Sequence, residues 1–208
     1  MNAIKALSPA VILLQETKLY KQGVVTLKGF VTFEKQRKYG AGGGLFTAVH
    51  ENLAPMMIEN DDDNEDILIV DIKHSESDII RTINCYGPQE YPRNKKVSDD
   101  EANSSINSNS NFFLKLQTEI ESAKNHGCLI CIQMDANSKF GSNIIKGDPN
   151  EKMSENGKAL FEIIQNNNLV LVNSSQKCSG VITRYRKSKK TVRLLLISSF
   201  FAEPCMRC

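Results

Sequence analysis

The sequence predicts a mixed α/β fold in which two β-sheets pack face to face. Three observations carry that reading. Apolar, β-branched runs of strand length recur at residues 10–15, 45–50, 67–73, 79–86 and 128–134, a pattern suited to strands buried on both faces. Helical spacing is confined to a few segments, so the elements do not alternate as strict βαβα units. The chain has 208 residues, 40% hydrophobic and 24% charged. That is enough for one sizeable core, and too ordinary a composition for disorder or a fibre.

Taken in order, residues 3–7 read as the tail of a helix that Pro9 closes, and 10–15 as the first strand. A second strand is expected at 26–33. The glycine-rich turn 39–44 feeds a strand at 45–50. The acidic loop 61–66 joins a strand near Met56 to one at 67–73. The strand at 79–86 must end at Gly87-Pro88. Residues 103–111 are mostly Asn and Ser and read as a flexible loop or the frayed approach to a helix. Phe113, Leu116, Ile120 and Ala123 recur at helical spacing, and His126-Gly127 supplies a stop. After the strand at 128–134 come a helix at 158–166, with Leu160, Ile163 and Ile164 on one face, and a strand at 169–172. No internal repeat is present.

Lys and Arg number 26 against 24 Asp and Glu, a net charge of +2. So mild a balance excludes the electrostatic footprint of a dedicated nucleic-acid binder; a basic face would have to be local. The one basic cluster is Arg184, Arg186, Lys187, Lys189 and Lys190, which suits either a phosphate-tracking rim or a solvated hairpin. No run approaches the ~20 apolar residues of a membrane helix. The N-terminal apolar run is short, broken by Pro9 and without a cleavage site, so no signal peptide is expected. An intracellular setting follows, in which the six cysteines are free thiols. Cys205-x-x-Cys208 lacks a second Cys/His pair and reads as a chance spacing. Cys128 and Cys131 read as small core hydrophobes.

Two acids end apolar runs: Glu16 after Val-Ile-Leu-Leu-Gln, and Asp135 after Leu-Ile-Cys-Ile-Gln-Met. A carboxylate at a strand end stands at the sheet rim, where a rigid scaffold meets solvent. Asn137 shares the face of Asp135 if strand geometry continues. Two carboxylates and an amide suit a hard cation such as Mg²⁺, which takes one or two carboxylates and keeps waters for a substrate phosphate. Taken singly, each is also what a strand ending in a solvated acid looks like. Asn84 and Tyr86 share one strand face and could hold a phosphate without adding charge. Asp61 to Asp66 reads as a solvated loop.

In this order the pieces resemble the endonuclease/exonuclease/phosphatase superfamily. Gln15-Glu16-Thr17-Lys18 matches its Q-E-T-K motif. Asn84-Cys85-Tyr86-Gly87-Pro88 is similar to N-x-Y-x-P, and Met134-Asp135-Ala136-Asn137 to G-D-x-N with Met134 in place of Gly. Asn156-Gly157 followed by residues 169–173 is similar to the N-G-x-x-L…N-L-x-x-x-N stretch, and Thr183 falls where the family has a Thr. The variety it most resembles is the endonuclease domain of LINE-type retrotransposons, related to apurinic endonucleases. The resemblance implies a four-layered α/β sandwich that hydrolyses DNA phosphodiesters with Mg²⁺, Mn²⁺ being the substitute. Glu16 would hold the metal. Asp135 and Asn137 would act on the attacking water and scissile phosphate. Tyr86 would support the phosphate, with Asn84 and Thr183 assisting, and Arg184, Arg186 and Lys187 would lie along the nucleic acid. DNA makes a nuclear setting the expectation.

The departures shape the functional reading. The family's first strand would precede residue 10, so an uncovered apolar edge is expected near residues 11–15. The family's Ser-Asp-His motif has no counterpart, and His50, His74 and His126 fall elsewhere in the motif order. His126 is read as a helix C-terminal residue, where positive charge is favoured. Residues 1–191 then form the endonuclease-like domain and 192–208 an aberrant tail. Codons that encode residues 192–200 exist that, read in another frame, give Glu-Ala-Ala-Ile-Asp-Phe-Phe-Phe, the family's missing strand, so a frame slip near Val192 is the expectation. The reading is an endonuclease-like domain with an incomplete catalytic set. Its rivals are a non-catalytic nucleic-acid-binding remnant, another phosphoesterase of the superfamily, and a pseudogene product without function.

Overall fold

A computed structural model describes residues 8–18, 25–37, 43–58, 65–90, 99–145, 148, 150–174, 184–187, 190–193 and 200–202; for 99–108, 173 and 184 onward it describes the backbone alone. The expected helix at 3–7 and most of the turns at 39–44 and 61–66 lie outside these residues.

Strands β1 (Val11–Gln15), β2 (Phe30–Lys35) and β3 (Leu45–His50) form an antiparallel sheet in the order β1-β3-β2. A larger sheet contains β4 (Met56–Ile58), β5 (Ile67–Lys73), β6 (Ile79–Tyr86), β7 (Leu129–Asp135) and β8 (Leu169–Leu171). Strands β9 (Arg184–Lys187) and β10 (Lys190–Arg193) make a separate antiparallel hairpin. Strand β11 (Phe200–Ala202) lies between β7 and β8, so residues at the chain's end complete a six-stranded order β4-β5-β6-β7-β11-β8. Among the described residues the β6–β7 pair alone is parallel. A parallel pair needs a crossover, here made through helix α1 (Asp99–Asn125).

The six-stranded sheet is covered on both faces, which is why its strands read as largely hydrophobic runs, with buried polar residues such as Asp71, Arg81, Thr82, Asn84 and Gln133 among them. Ile67, Ile69, Ile83 and Cys85 pack under α1 and α2 (Glu155–Asn166) with Leu116, Ile120, Leu160 and Ile163. The alternate residues Leu68, Val70 and Ile72 face Leu45, Phe33 and Val49 of the smaller sheet. Helices, large sheet and small sheet are three layers of the expected sandwich. Among the described residues β1 is an edge strand paired with β3 alone; Val11 to Leu13 are half-buried and Leu14 is 40% exposed.

Three expected boundaries move. The strand expected at 26–33 begins at Phe30, because Gly29 takes φ +83° in the turn before it, a conformation a strand cannot use. Residues 103–111 are helical. Their weak propensity is overridden by tertiary contact: Phe112 and Phe113 are buried just beyond them, and the Asn109 amide donates to Asn156 Oδ1 at 3.2 Å. Helix α2 starts at Glu155, not 158, because Ser154 caps it: its hydroxyl oxygen accepts from the Gly157 and Lys139 amides at 3.3 and 3.0 Å.

Candidate active site

Strands β1, β6 and β7 end together at one rim of the sandwich, at Gln15, Tyr86 and Asp135. Tyr86 and Asp135 are direct neighbours in the parallel register, and the Gly87 amide donates to the Asp135 carbonyl at 2.8 Å. Gly87 has to be glycine: a Cβ there would come within 2.7 Å of the Ala136 carbonyl oxygen. The two loops leaving β6 and β7 therefore run closer than any side chain would permit.

Strand β1 belongs to the other sheet and is tied across by buried amides. Gln15 Nε2 donates to Asn84 Oδ1 at 2.6 Å. Asn84 Nδ2 donates to the carbonyls of Phe46 (3.0 Å) and Leu14 (3.2 Å) and to Thr47 Oγ1 (3.2 Å). Gln133 Nε2 donates to the Leu13 carbonyl at 3.1 Å. Every polar atom of Asn84 is satisfied and the residue is 0% exposed. Its amide is thus engaged within the protein. Asn84 is an internal strut, and it supports the rim by fixing the residue just before Glu16.

Glu16 accepts a 2.5 Å hydrogen bond from the Tyr86 hydroxyl on Oε1, and Gln89 Nε2 donates to the same phenolic oxygen at 3.2 Å. Tyr86 is only 2% exposed, and its one proton is committed to Glu16. In this structure the Tyr86 hydroxyl orients the Glu16 carboxylate. Asn137 Nδ2 donates to the Gly87 carbonyl at 2.8 Å. It reaches that place by a left-handed backbone (φ +44°), not by continued strand alternation, because β7 ends at Asp135. Glu16 is left-handed too, at φ +51°. Asn tolerates this region and Glu is uncommon in it, so Glu16 is the one of the two that carries backbone strain. Two buried hydroxyls without a hydrogen-bond partner, Thr17 Oγ1 and Ser138 Oγ, follow these same two residues; such orphans are rare in a settled interior.

Sequence reasoning missed Arg37. Its guanidinium lies over the Tyr86 ring, 5.1 Å from Cζ to centroid, while Nε and Nη2 donate to the two Asp66 oxygens at 2.9 and 2.8 Å. Asp66 is thus not a solvated loop acid. Burial pushes its carboxyl above the ordinary value, and the charge of Arg37 and its hydrogen bonds only partly offset that. The signal in the sequence was Gly43: a Cβ there would strike the Arg37 side chain at 2.5 Å. Asn156-Gly157 docks α2 beneath the rim. Asn156 Nδ2 donates to the Pro88 carbonyl at 2.7 Å, and a Cβ on Gly157 would collide with the Lys139 carbonyl.

Thr183 lies outside the described residues. Arg184, Arg186 and Lys187 fall on β9 of the hairpin, described by backbone alone. All three histidines belong to the opposite rim. His50 ends β3 and accepts from the Asn52 amide, His74 follows β5, and His126 follows α1 as expected, its Nδ1 2.7 Å from the Ser122 carbonyl.

Among the described residues no three His, Cys, Asp or Glu side chains gather in metal-holding geometry. A fixed carboxylate at Glu16 and a second at Asp135 nonetheless fit Mg²⁺ in number and hardness, since that ion is commonly held by one or two carboxylates plus waters.

No protein-family model and no curated protein matches the chain. Solved structures do. The chain is similar to the endonuclease domain of TRAS1, a telomere-specific non-LTR retrotransposon, with a TM-score of 0.57 and 15% identity over 97% of this chain and 77% of that one. It is similar to the AP endonuclease LMAP of Leishmania major, with a TM-score of 0.66 and 14% identity over 97% and 72%. It is also similar to the 3′ phosphatase NExo of Neisseria bound to a product DNA hairpin, with a TM-score of 0.66 and 13% identity over 99% and 80%. The chain shares the fold of these nucleases and this phosphatase, which is the fold the motif order implied. Among the described residues no helix is long and apolar enough to cross a membrane.

Proposed function

We propose that the chain is a retrotransposon-type endonuclease-like domain whose rim binds a divalent cation and a DNA phosphodiester, with hydrolysis weak or absent. The observation that carries the reading is the meeting of Glu16, Tyr86, Asp135 and Asn137 at three strand ends drawn from two sheets. Glu16, oriented by Tyr86 and Gln89, and Asp135 would hold Mg²⁺, or Mn²⁺ in its place. Bound there, the ion would supply charge neutralisation at a phosphate oxygen. Asp135 is the rim carboxylate placed to take a proton from an attacking water. Asn137 spends its amide nitrogen on Gly87 and so braces the loop that carries Asp135.

What the rim lacks is an imidazole. The three histidines sit at the far end, and each absent group in such sites typically costs ~10²-fold or more. Residues that act as one unit do not contribute additively. The distant histidines favour a nucleic-acid-binding domain with residual chemistry over a working hydrolase, with the nucleus as its setting. Purified protein is expected not to nick supercoiled plasmid above background in Mg²⁺ or Mn²⁺, while Mn²⁺ titrated by electron paramagnetic resonance binds weakly and Glu16→Ala abolishes that binding. Robust nicking that Glu16→Ala removes would make the chain an active enzyme. Mn²⁺ binding unaffected by Glu16→Ala would end the site assignment.

A further inference from the structure

We infer that Arg37 is the cation that grips the nucleic-acid phosphate at this rim, an inference that rests on the reading above. The starting point is Tyr86. Its ring is sealed and its hydroxyl proton committed to Glu16, so it offers no donor to a ligand. The group lying over that ring is the Arg37 guanidinium, 5.1 Å from the centroid. The phenol joins the two: its face carries the cation and its hydroxyl carries the carboxylate proposed to hold metal. A phosphate bridging metal and guanidinium would lie across Tyr86.

Arg37 is also prepared for the task. Its Nε and Nη2 edge is occupied by both oxygens of Asp66, whereas Nη1 has no hydrogen-bond partner among the described residues, and a quarter of the side chain (24%) remains exposed. A guanidinium held on one edge by a carboxylate and on one face by a ring loses little freedom when its other edge meets an anion. Arg favours such bidentate, planar recognition of phosphate. Gly43 leaves the space the side chain needs. A clamp that only fastened Arg37 and its own stretch of chain would use the Asp66 pair and the ring equally well, so the test has to separate holding the chain from holding a phosphate.

The experiment is fluorescence anisotropy of a labelled duplex oligonucleotide against salt concentration. It compares wild type, Arg37→Gln, Arg37→Lys and Lys73→Gln, with melting temperatures measured alongside. Lys73 is exposed at the opposite end of β5 and removes the same charge far from the rim. Each phosphate contact contributes about 0.9 to the slope of log K against log salt. Arg37→Gln is expected to weaken binding about tenfold at low salt and to lower that slope by about 1. Arg37→Lys should restore most of the slope while losing some affinity, and Lys73→Gln should stay within about twofold of wild type. Equal losses in Arg37→Gln and Lys73→Gln, or an Arg37→Gln slope equal to wild type, overturn the inference alone. A wild-type chain that does not bind the duplex overturns the nucleic-acid reading itself. Should Arg37→Gln melt early, Arg37→Lys decides: a folded Lys variant without the contact's slope also overturns the inference.

Discussion

Strands β1 and β6 each deliver a residue to the same rim, and they are held there very differently. Strand β6 is paired on both edges, by β5 and β7, and covered on both faces. Strand β1 is paired on one edge among the described residues and leaves Leu14 40% exposed. Tyr86 thus stands on the firmest part of the molecule and Glu16 on one of the least covered. What brings the two into hydrogen-bond contact is a small set of buried amides, not the apolar core. In this rim, packing fixes the frame and polar struts fix the site.

The comparison can be broken most directly by truncation. Ile83 of β6 is 0% exposed, and Ile83→Ala should cost about 3–4 kcal/mol. Leu14→Ala should cost less than about 1 kcal/mol. Urea denaturation measures both, and equal losses would mean that β1 is as well buried as β6. The next effect concerns the struts. Asn84→Ala leaves the Phe46 and Leu14 carbonyls and the Gln15 amide short of partners, at about 2–3 kcal/mol. A double-mutant cycle with Gln15→Ala should show coupling above about 0.5 kcal/mol. Additive losses would show that the amides stabilise without linking the sheets.

The smallest effect is chemical. Burial pushes the Cys131 thiol up to about 11 and the Cys85 thiol on β6 higher still. The thiolate is the reactive form, so labelling of Cys131 mapped by mass spectrometry should keep rising with pH to about 11, past the ~8.5 of a free thiol. These groups stay protonated longer folded than unfolded, so they also make stability fall as pH rises above ~8.5. Rapid labelling of Cys85 at pH 8 would show that the face under the helices opens as readily as the edge at β1.

Much of this was legible because the strands are covered on both sides and rich in Ile, Leu and Val. Runs such as 67–73 and 79–86 announce themselves when most positions on both faces are buried, and Glu16, Tyr86 and Asp135 stand where such runs stop. Legibility failed where the cause is not local. Residues 103–111 are poor helix formers and became helical through contacts of Asn109 and Phe112 with distant partners. Asn84 carries a polar side chain on a strand, and nothing in its neighbours says that the group opposite is Gln15, 69 residues away. Arg37 escaped notice because a single Arg in a loop has no pattern; only the fold puts Tyr86 beneath it.

The left-handed backbone of Glu16 sets a trade-off between durability and use. A non-glycine residue in that region costs about 1–2 kcal/mol, and glycine would pay almost none of it. Glu16→Gly should relieve that strain but leave the buried Tyr86 hydroxyl without its acceptor, at an opposing cost of about 1–3 kcal/mol, so its melting temperature should stay close to wild type while the carboxylate is lost. The strain at Glu16 and the hydrogen bond it makes to Tyr86 thus oppose each other within one residue.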